Sequence, residues 1–97
     1  MTTEVRVRVP AGLRPFTDGR AVVDVEVADT APNLACVLET LASTCPGVVD
    51  RVLDERGDVR RHVNVFVGDE EVRALGGLAA PIPDGAEISI LPAVSGG

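Results

Sequence analysis

Few side chains in this sequence can do chemistry unaided, and they are thinly spread. His62 is the single histidine, so a histidine-based metal cage is not available and no metal site is expected. The two thiols, Cys36 and Cys45, are not spaced as Cys-x-x-Cys. No basic residue adjoins either one to hold a thiolate, so both read as structural thiols. A Ser-His-Asp set is formally possible, but no motif places a serine on a strained elbow. Gly76-Gly77 is followed by Leu-Ala-Ala-Pro and reads as a turn, not as a phosphate loop opening a helix. His62 reads as an exposed strand residue, and Asn64 as one that satisfies local backbone groups. Nothing in the interior resembles a catalytic constellation.

The end of the sequence is different. It stops on Gly96-Gly97, after Pro92, Ala93, Val94 and Ser95, none of which has a charged side chain. The dipeptide alone fits a frayed end as well as a reactive one. A terminal carboxylate becomes an electrophile only once activated, for example as an acyl-adenylate. An enzyme that activates it must surround the reacting carbon, to hold ATP and to exclude water. Only a tail almost without side chains threads a narrow channel to such a centre. Sulfide can then displace AMP and leave a thiocarboxylate at Gly97, as can an enzyme persulfide once a thiol cleaves the acyl disulfide it first forms. In that chemistry Pro92, Ala93, Val94, Ser95 and Gly96 thread the channel, and a folded body serves as the recognition handle.

The elements that would position this end follow from periodicity. Glu4 to Val9 alternates strictly and predicts a strand with Val5, Val7 and Val9 inward. Pro10, Gly12, Arg14-Pro15 and Asp18-Gly19 predict a turn-rich connection. Val23, Val25 and Val27 predict a second strand. Thr30 is expected as an N-cap, with Pro32 early in the first helical turn. Leu34, Val37, Leu38 and Leu41 then form one apolar stripe. Pro46-Gly47 should end that helix, with one short helical turn over Val48 to Leu53. Val63, Val65 and Val67 predict a third strand, and Gly68-Asp69 a two-residue hairpin turn. A short strand over Glu71 to Arg73 should follow, then a break at Gly76-Gly77 and a turn at Pro83-Asp84-Gly85. Ile88 and Ile90 predict the last strand, ended by Pro92. One helix covers only one face of a sheet, and the first and last strands can then pair in parallel at its centre. The expected fold class is therefore α+β, a β-grasp (ubiquitin-like) domain over 1–91 with a mixed sheet and one main helix, then a flexible tail over 92–97. This pattern favours a reactive Gly96-Gly97 over a frayed one.

Composition narrows the alternatives. At 97 residues and 45% hydrophobic, the chain is one small domain with enough apolar material for a core. Phe16 and Phe66 are its two aromatic residues, so that core must be aliphatic. The net charge is −6, and all nine cations are arginines, spread along the sequence without a cluster. Nucleic-acid binding needs a dense basic face, so it is not expected. No apolar run approaches the roughly 20 residues of a membrane span, and the alternating N-terminus is not a signal peptide. A cytoplasmic location is expected. A reducing compartment agrees with the cysteines, because nine residues of helix span about 13 Å whereas a disulfide needs Cα atoms within about 7 Å. With no lysine, the chain cannot form polymers through lysines of its own; attachment to lysines of other proteins stays open.

The segments Val63-Asn64-Val65-Phe66-Val67, Asp69-Glu70-Glu71-Val72-Arg73, Gly76-Gly77-Leu78, Pro83-Asp84-Gly85 and Ile88-Ser89-Ile90-Leu91-Pro92-Ala93-Val94-Ser95-Gly96-Gly97 together resemble the ThiS/MoaD family of prokaryotic sulfur carriers. With the opening strand and helix, the resemblance covers nearly the whole chain, and Leu-Pro-Ala-Val-Ser-Gly-Gly is its specific part. Length and the Gly-Gly-Leu segment look closest to the CysO-like branch. The resemblance implies a sulfur donor rather than an enzyme. An E1-like adenylating enzyme, using ATP and Mg, would activate Gly97, and the carrier itself would bind no cofactor. A pyridoxal-phosphate-dependent (PLP) cysteine synthase would accept the sulfur, and a zinc-dependent peptidase would release cysteine. Molybdopterin and thiazole carriers share the Gly-Gly end, and secondary metabolites are further acceptors, so the end does not choose the pathway. A ubiquitin-like protein modifier and a non-covalent β-grasp adaptor are the competing readings. Phe66 and Leu91 alternate out of phase with the inward residues and should lie on the open sheet face as a docking patch; the competing reading is scattered surface apolars. Arg6 and Arg8 share that face and could pair with acidic groups of a partner, although a solvated strand face is the preferred reading. Asp69, Glu70 and Glu71 form an acidic corner, and Leu78 reads as core. A monomer that meets its enzymes transiently is expected.

Overall fold

The computed structural model describes residues 2–92. The opening alternation folds as β1 (Thr3–Arg8), with Val5 and Val7 buried and Glu4, Arg6 and Arg8 exposed. It pairs antiparallel with β2 (Val22–Val27), where Val23 faces Val7 and Val25 faces Val5. The connection is more ordered than a run of turns. Ala11–Thr17 winds into a 3-10 helix that ends on Asp18 in the left-handed region, φ 56°, a conformation a short polar side chain tolerates.

Helix α1 (Leu34–Thr44) buries Leu34, Val37, Leu38 and Leu41 as its spacing predicts. Its cap is Asn33, not Thr30: the Asn33 side-chain oxygen accepts from the Cys36 N–H at 3.0 Å. Pro32 precedes the cap and is fully buried instead of lying in the first turn. The cause is a short backbone bridge from the other end of the chain. Leu34 N–H donates to the Ala80 carbonyl and Ile82 N–H to the Pro32 carbonyl, both at 3.0 Å, so residues 32–34 stay extended until Leu34. Pro46 ends α1 and also opens α2 (Pro46–Val52), a full second helix rather than one short turn. Proline's missing N–H costs nothing in a first helical turn, and the new helix buries Val48 and Val52 completely.

Strand β3 (Val63–Val67) turns at Gly68, φ 60°, into a two-residue β4 (Glu70–Glu71). The strand predicted over Glu71 to Arg73 is therefore displaced. The Glu71 carboxylate caps the Arg73 N–H and starts a 3-10 turn over Val72–Leu75, which buries Val72. The last strand, β5 (Glu87–Pro92), takes up Pro92 as its final residue. The sheet order is β2-β1-β5-β3-β4, with β1 and β5 parallel and the other pairs antiparallel. This is the β-grasp plan. Asp84 accepts the Glu4 N–H at 2.8 Å and Gly85 donates to the Glu4 carbonyl at 2.7 Å, so the turn before β5 is sewn to β1. The core between sheet and helices is aliphatic, from Val7, Val65, Ile88 and Ile90 to Leu34, Leu41 and Val48; Leu78 is half-buried against it. Among the described residues, no helix is long and apolar enough to cross a membrane.

Candidate functional site

Strand β5 decides where the terminal segment leaves the body. It is held between β1 and β3, with Ile88 and Ile90 inward, and its last pair is Pro92 opposite Val63. Ala93, Val94, Ser95, Gly96 and Gly97 lie outside the described residues. Pro92, read from the sequence as tail, belongs to the ladder.

The residues expected on the open sheet face are there. Phe66 lies opposite Ser89 and Asn64 opposite Leu91, so Phe66 and Leu91 are diagonal neighbours on that face. Leu91 is 47% exposed and Phe66 is half-buried. Arg6 and Arg8 share the face but already have acidic partners within the chain. Arg6 lies 3.6 Å from Asp24, and Arg8 lies 2.6 Å from Glu87. Exposed pairs of this kind contribute little, so a partner's carboxylates can exchange with them.

One side chain that the sequence did not single out organises the root of the tail. Strand β4 stops after two residues, which leaves the edge of β3 near Val63 without a neighbouring strand. The Arg73 guanidinium fills that place. Its Nη2 donates to the carbonyls of Val63 and Arg60, both at 2.9 Å. Its Nη1 donates to Asn64 Oδ1 at 3.3 Å and to Glu71 Oε1 at 2.9 Å. Asn64 thus serves a side chain, not the backbone. The Arg73 N–H and then its guanidinium hold the Glu71 carboxyl below the usual carboxylate range. Of the acidic corner, Asp69 and Glu70 are exposed, while Glu71 is committed to Arg73. The available signal was Glu71 and Arg73 two residues apart, on one face of the strand that the sequence predicts.

Beside Arg73 runs an open groove of ≈ 450 Å³, lined by Asp58, Val59, Gly76, Gly77, Leu78 and Ala79. A second hollow of ≈ 500 Å³ on the open face is lined chiefly by Glu4, Arg6, Asp24, Glu26 and Glu87. Neither lining contains a serine, cysteine or histidine. Among the described residues, no cluster of three or more metal-binding side chains occurs. Cys36 and Cys45 are free and half-buried, and His62 is exposed just before β3. Phe16 also escaped notice. Its ring lies against Gly47, with the Arg51 guanidinium 4.1 Å from its centroid.

Of these features, the Arg73 network and Leu91 lie at the point where β5 reaches Pro92. The sulfur carrier protein CysO of Mycobacterium tuberculosis is 40% identical over 95 residues, covering 96% of this chain and 98% of that protein. Small archaeal modifier protein 3 of Haloferax volcanii is 38% identical over 89 residues, covering 88% of this chain and 96% of that protein. A chain in the crystal structure of the Amycolatopsis orientalis BexX/CysO complex superposes with a TM-score of 0.83 at 36% identity, covering 96% of this chain and 99% of that one. The ThiS family profile matches residues 7–97, which takes in the β5 register and the Gly96-Gly97 end together. With the profile spanning residues 7–97 and 40% identity across nearly the whole of both chains, the chain belongs to the ThiS family.

Proposed function

We propose that this chain is a sulfur carrier protein whose Gly97 carboxylate is adenylated by an E1-like partner, with ATP and Mg, and converted to a thiocarboxylate. The observation that carries the reading is the end-to-end match to CysO sulfur carriers in a chain that ends Gly96-Gly97. The geometry supports it. Strand β5, at the centre of the sheet, brings the chain to Pro92 beside the Phe66–Leu91 face. The carrier contributes the reacting carboxylate and the docking surface, and its partners contribute catalysis. The favoured acceptor is a PLP-dependent cysteine synthase, with a zinc-dependent peptidase releasing the product.

The test is sulfur transfer by a chain lacking Gly97. That variant should fold like the wild type and transfer none. A folded variant that still transfers sulfur would sink the proposal.

A second reading has its own observation, the 38% identity to an archaeal protein named as a modifier. It uses the same carboxylate to acylate lysines of other proteins. Blotting host extract for this chain separates the two, because a modifier gives species of higher mass that survive denaturation and thiol treatment, and a carrier does not.

A further inference from the structure

The arginines are scattered in sequence, but the fold leaves one end of the sheet strongly acidic. Strands β1 and β5 run parallel, so the turn before β5, the β3–β4 hairpin and the exit of β2 all lie at the end distant from Pro92. That end presents Glu4, Glu26, Asp29, Asp69, Glu70 and Asp84, all exposed, and the arginine beside them, Arg6, is paired with Asp24. Arg60 and Arg61 lie at the other end. Arg60, Arg61 and His62, all exposed, form the turn into β3. The bond from Val63 N–H to the Arg60 carbonyl closes this turn beside the Val63–Pro92 pair.

Asp50, Asp54, Glu55 and Asp58 precede this turn, and the Arg60 charge reaches Asp54, but neither Arg60 nor Arg61 has a carboxylate within ion-pair distance among the described residues. Arg73 is paired with Glu71 and already engages four of its N–H groups. Arg60 donates to the Asp50 carbonyl at 3.0 Å and has no carboxylate partner among the described residues. Among the same residues, Arg61 makes neither an ion pair nor a side-chain hydrogen bond. Asp54, in the neighbouring loop, is occupied by the N–H groups of Arg56 and Asp58.

Tail length fixes how near to Pro92 a partner must come. Five residues separate Pro92 from the terminal carboxylate. Fully extended, they reach about 17 Å. Any partner that works on Gly97 brings its surface within that distance of Pro92, the residue beside which the turn lies. Covering Arg61 with an apolar or basic surface would strip water from an unpaired guanidinium at considerable cost.

We propose that the Arg60–Arg61–His62 turn docks on a carboxylate-bearing rim around the channel that receives the tail, and that the acidic far end helps orient the carrier tail-first. This rests on the reading that Gly97 is the reacting group. Charges at a rim act on encounter rate and salt dependence more than on the chemical step. The effect should therefore appear in KM and not in kcat.

The experiment measures thiocarboxylation of the full chain by the host's E1-like adenylating enzyme, with ATP and sulfide. Wild type is compared with Arg61→Gln and Ala28→Glu. Both variants make the chain more negative by one charge, at opposite ends; Ala28 is exposed just after β2. Arg61→Gln should raise KM for the carrier about two- to fivefold at low salt with kcat unchanged. The difference should fade near about 0.5 M salt, and Ala28→Glu should not raise KM. An unchanged KM for Arg61→Gln, an equal rise in both variants, or a rise in KM for ATP instead would overturn the proposal while leaving Gly97 as the reacting group. Failure of the wild type, with an enzyme proven active on its own carrier, would overturn both.

Discussion

Arg73 is the residue on which the root of the tail depends most directly. A planar fork of N–H groups can meet two carbonyls, an amide and a carboxylate at once, and it occupies the edge that β4 leaves open. Replacing Arg73 with alanine should lower unfolding stability by about 1–3 kcal/mol, and lysine, a point charge without the fork, should restore only part of it. Urea unfolding of the three proteins checks this. Glu71 adds a pH dependence. Its folded pKa lies below the usual value of 4.5, so its contribution is complete above that value and is lost as pH falls toward the folded pKa. The stability of Glu71→Gln should accordingly fall less steeply than that of wild type on acidification below about pH 5; identical acid limbs would contradict the assignment. Asn33→Ala should cost about 1 kcal/mol as a lost cap, while Thr30→Ala should cost almost nothing. That contrast marks where sequence alone went astray. Thr30 and Asn33 are both good caps by type, and the choice was made by Ala80 and Ile82, about 50 residues away in the sequence. Leu91 and Phe66 were legible because a two-residue period fixes the face. Arg73 was not, because its role depends on where β4 ends.

At the scale of elements, the four longer strands and α1 were legible from alternation and helical spacing alone. The second helix was underestimated because Pro46-Gly47 reads as a stop, and the proline that stops one helix can start another. The 3-10 helix over Ala11–Thr17 has no apolar period to reveal it. It is fixed through space, where Phe16 packs on Gly47 and beneath Arg51. A Cβ built on Gly47 would lie 2.4 Å from Phe16 Cδ1 and 2.9 Å from its Cγ. Gly47→Ala should therefore destabilise the fold by about 1–3 kcal/mol through overpacking. Adding Phe16→Ala should recover most of that loss, giving a strongly non-additive double-mutant cycle. Additive losses would show that the ring does not hold that position in solution.

At the scale of the whole molecule, the topology joins the two ends of the chain. Strands β1 and β5 are the central parallel pair, so the strand that leads to the terminus is completed only by pairing with the first strand. This architecture was legible, because β-β-α-β-β-β with one main helix leaves few ways to bury one sheet face. The acidic end of the sheet was not, since scattered charges reveal it only after the strands are oriented. The central claim is that Gly97 is the reacting carboxylate. Its most direct test is the mass of the tryptic peptide Ala74 to Gly97 after incubation with ATP, a sulfide source and host extract. No lysine or arginine follows Arg73, and the peptide has no cysteine or methionine to mimic the change. A gain of about 16 Da that requires ATP is predicted, as oxygen is replaced by sulfur at the activated carboxyl. An unchanged peptide, in extract that thiocarboxylates a known carrier, would contradict it.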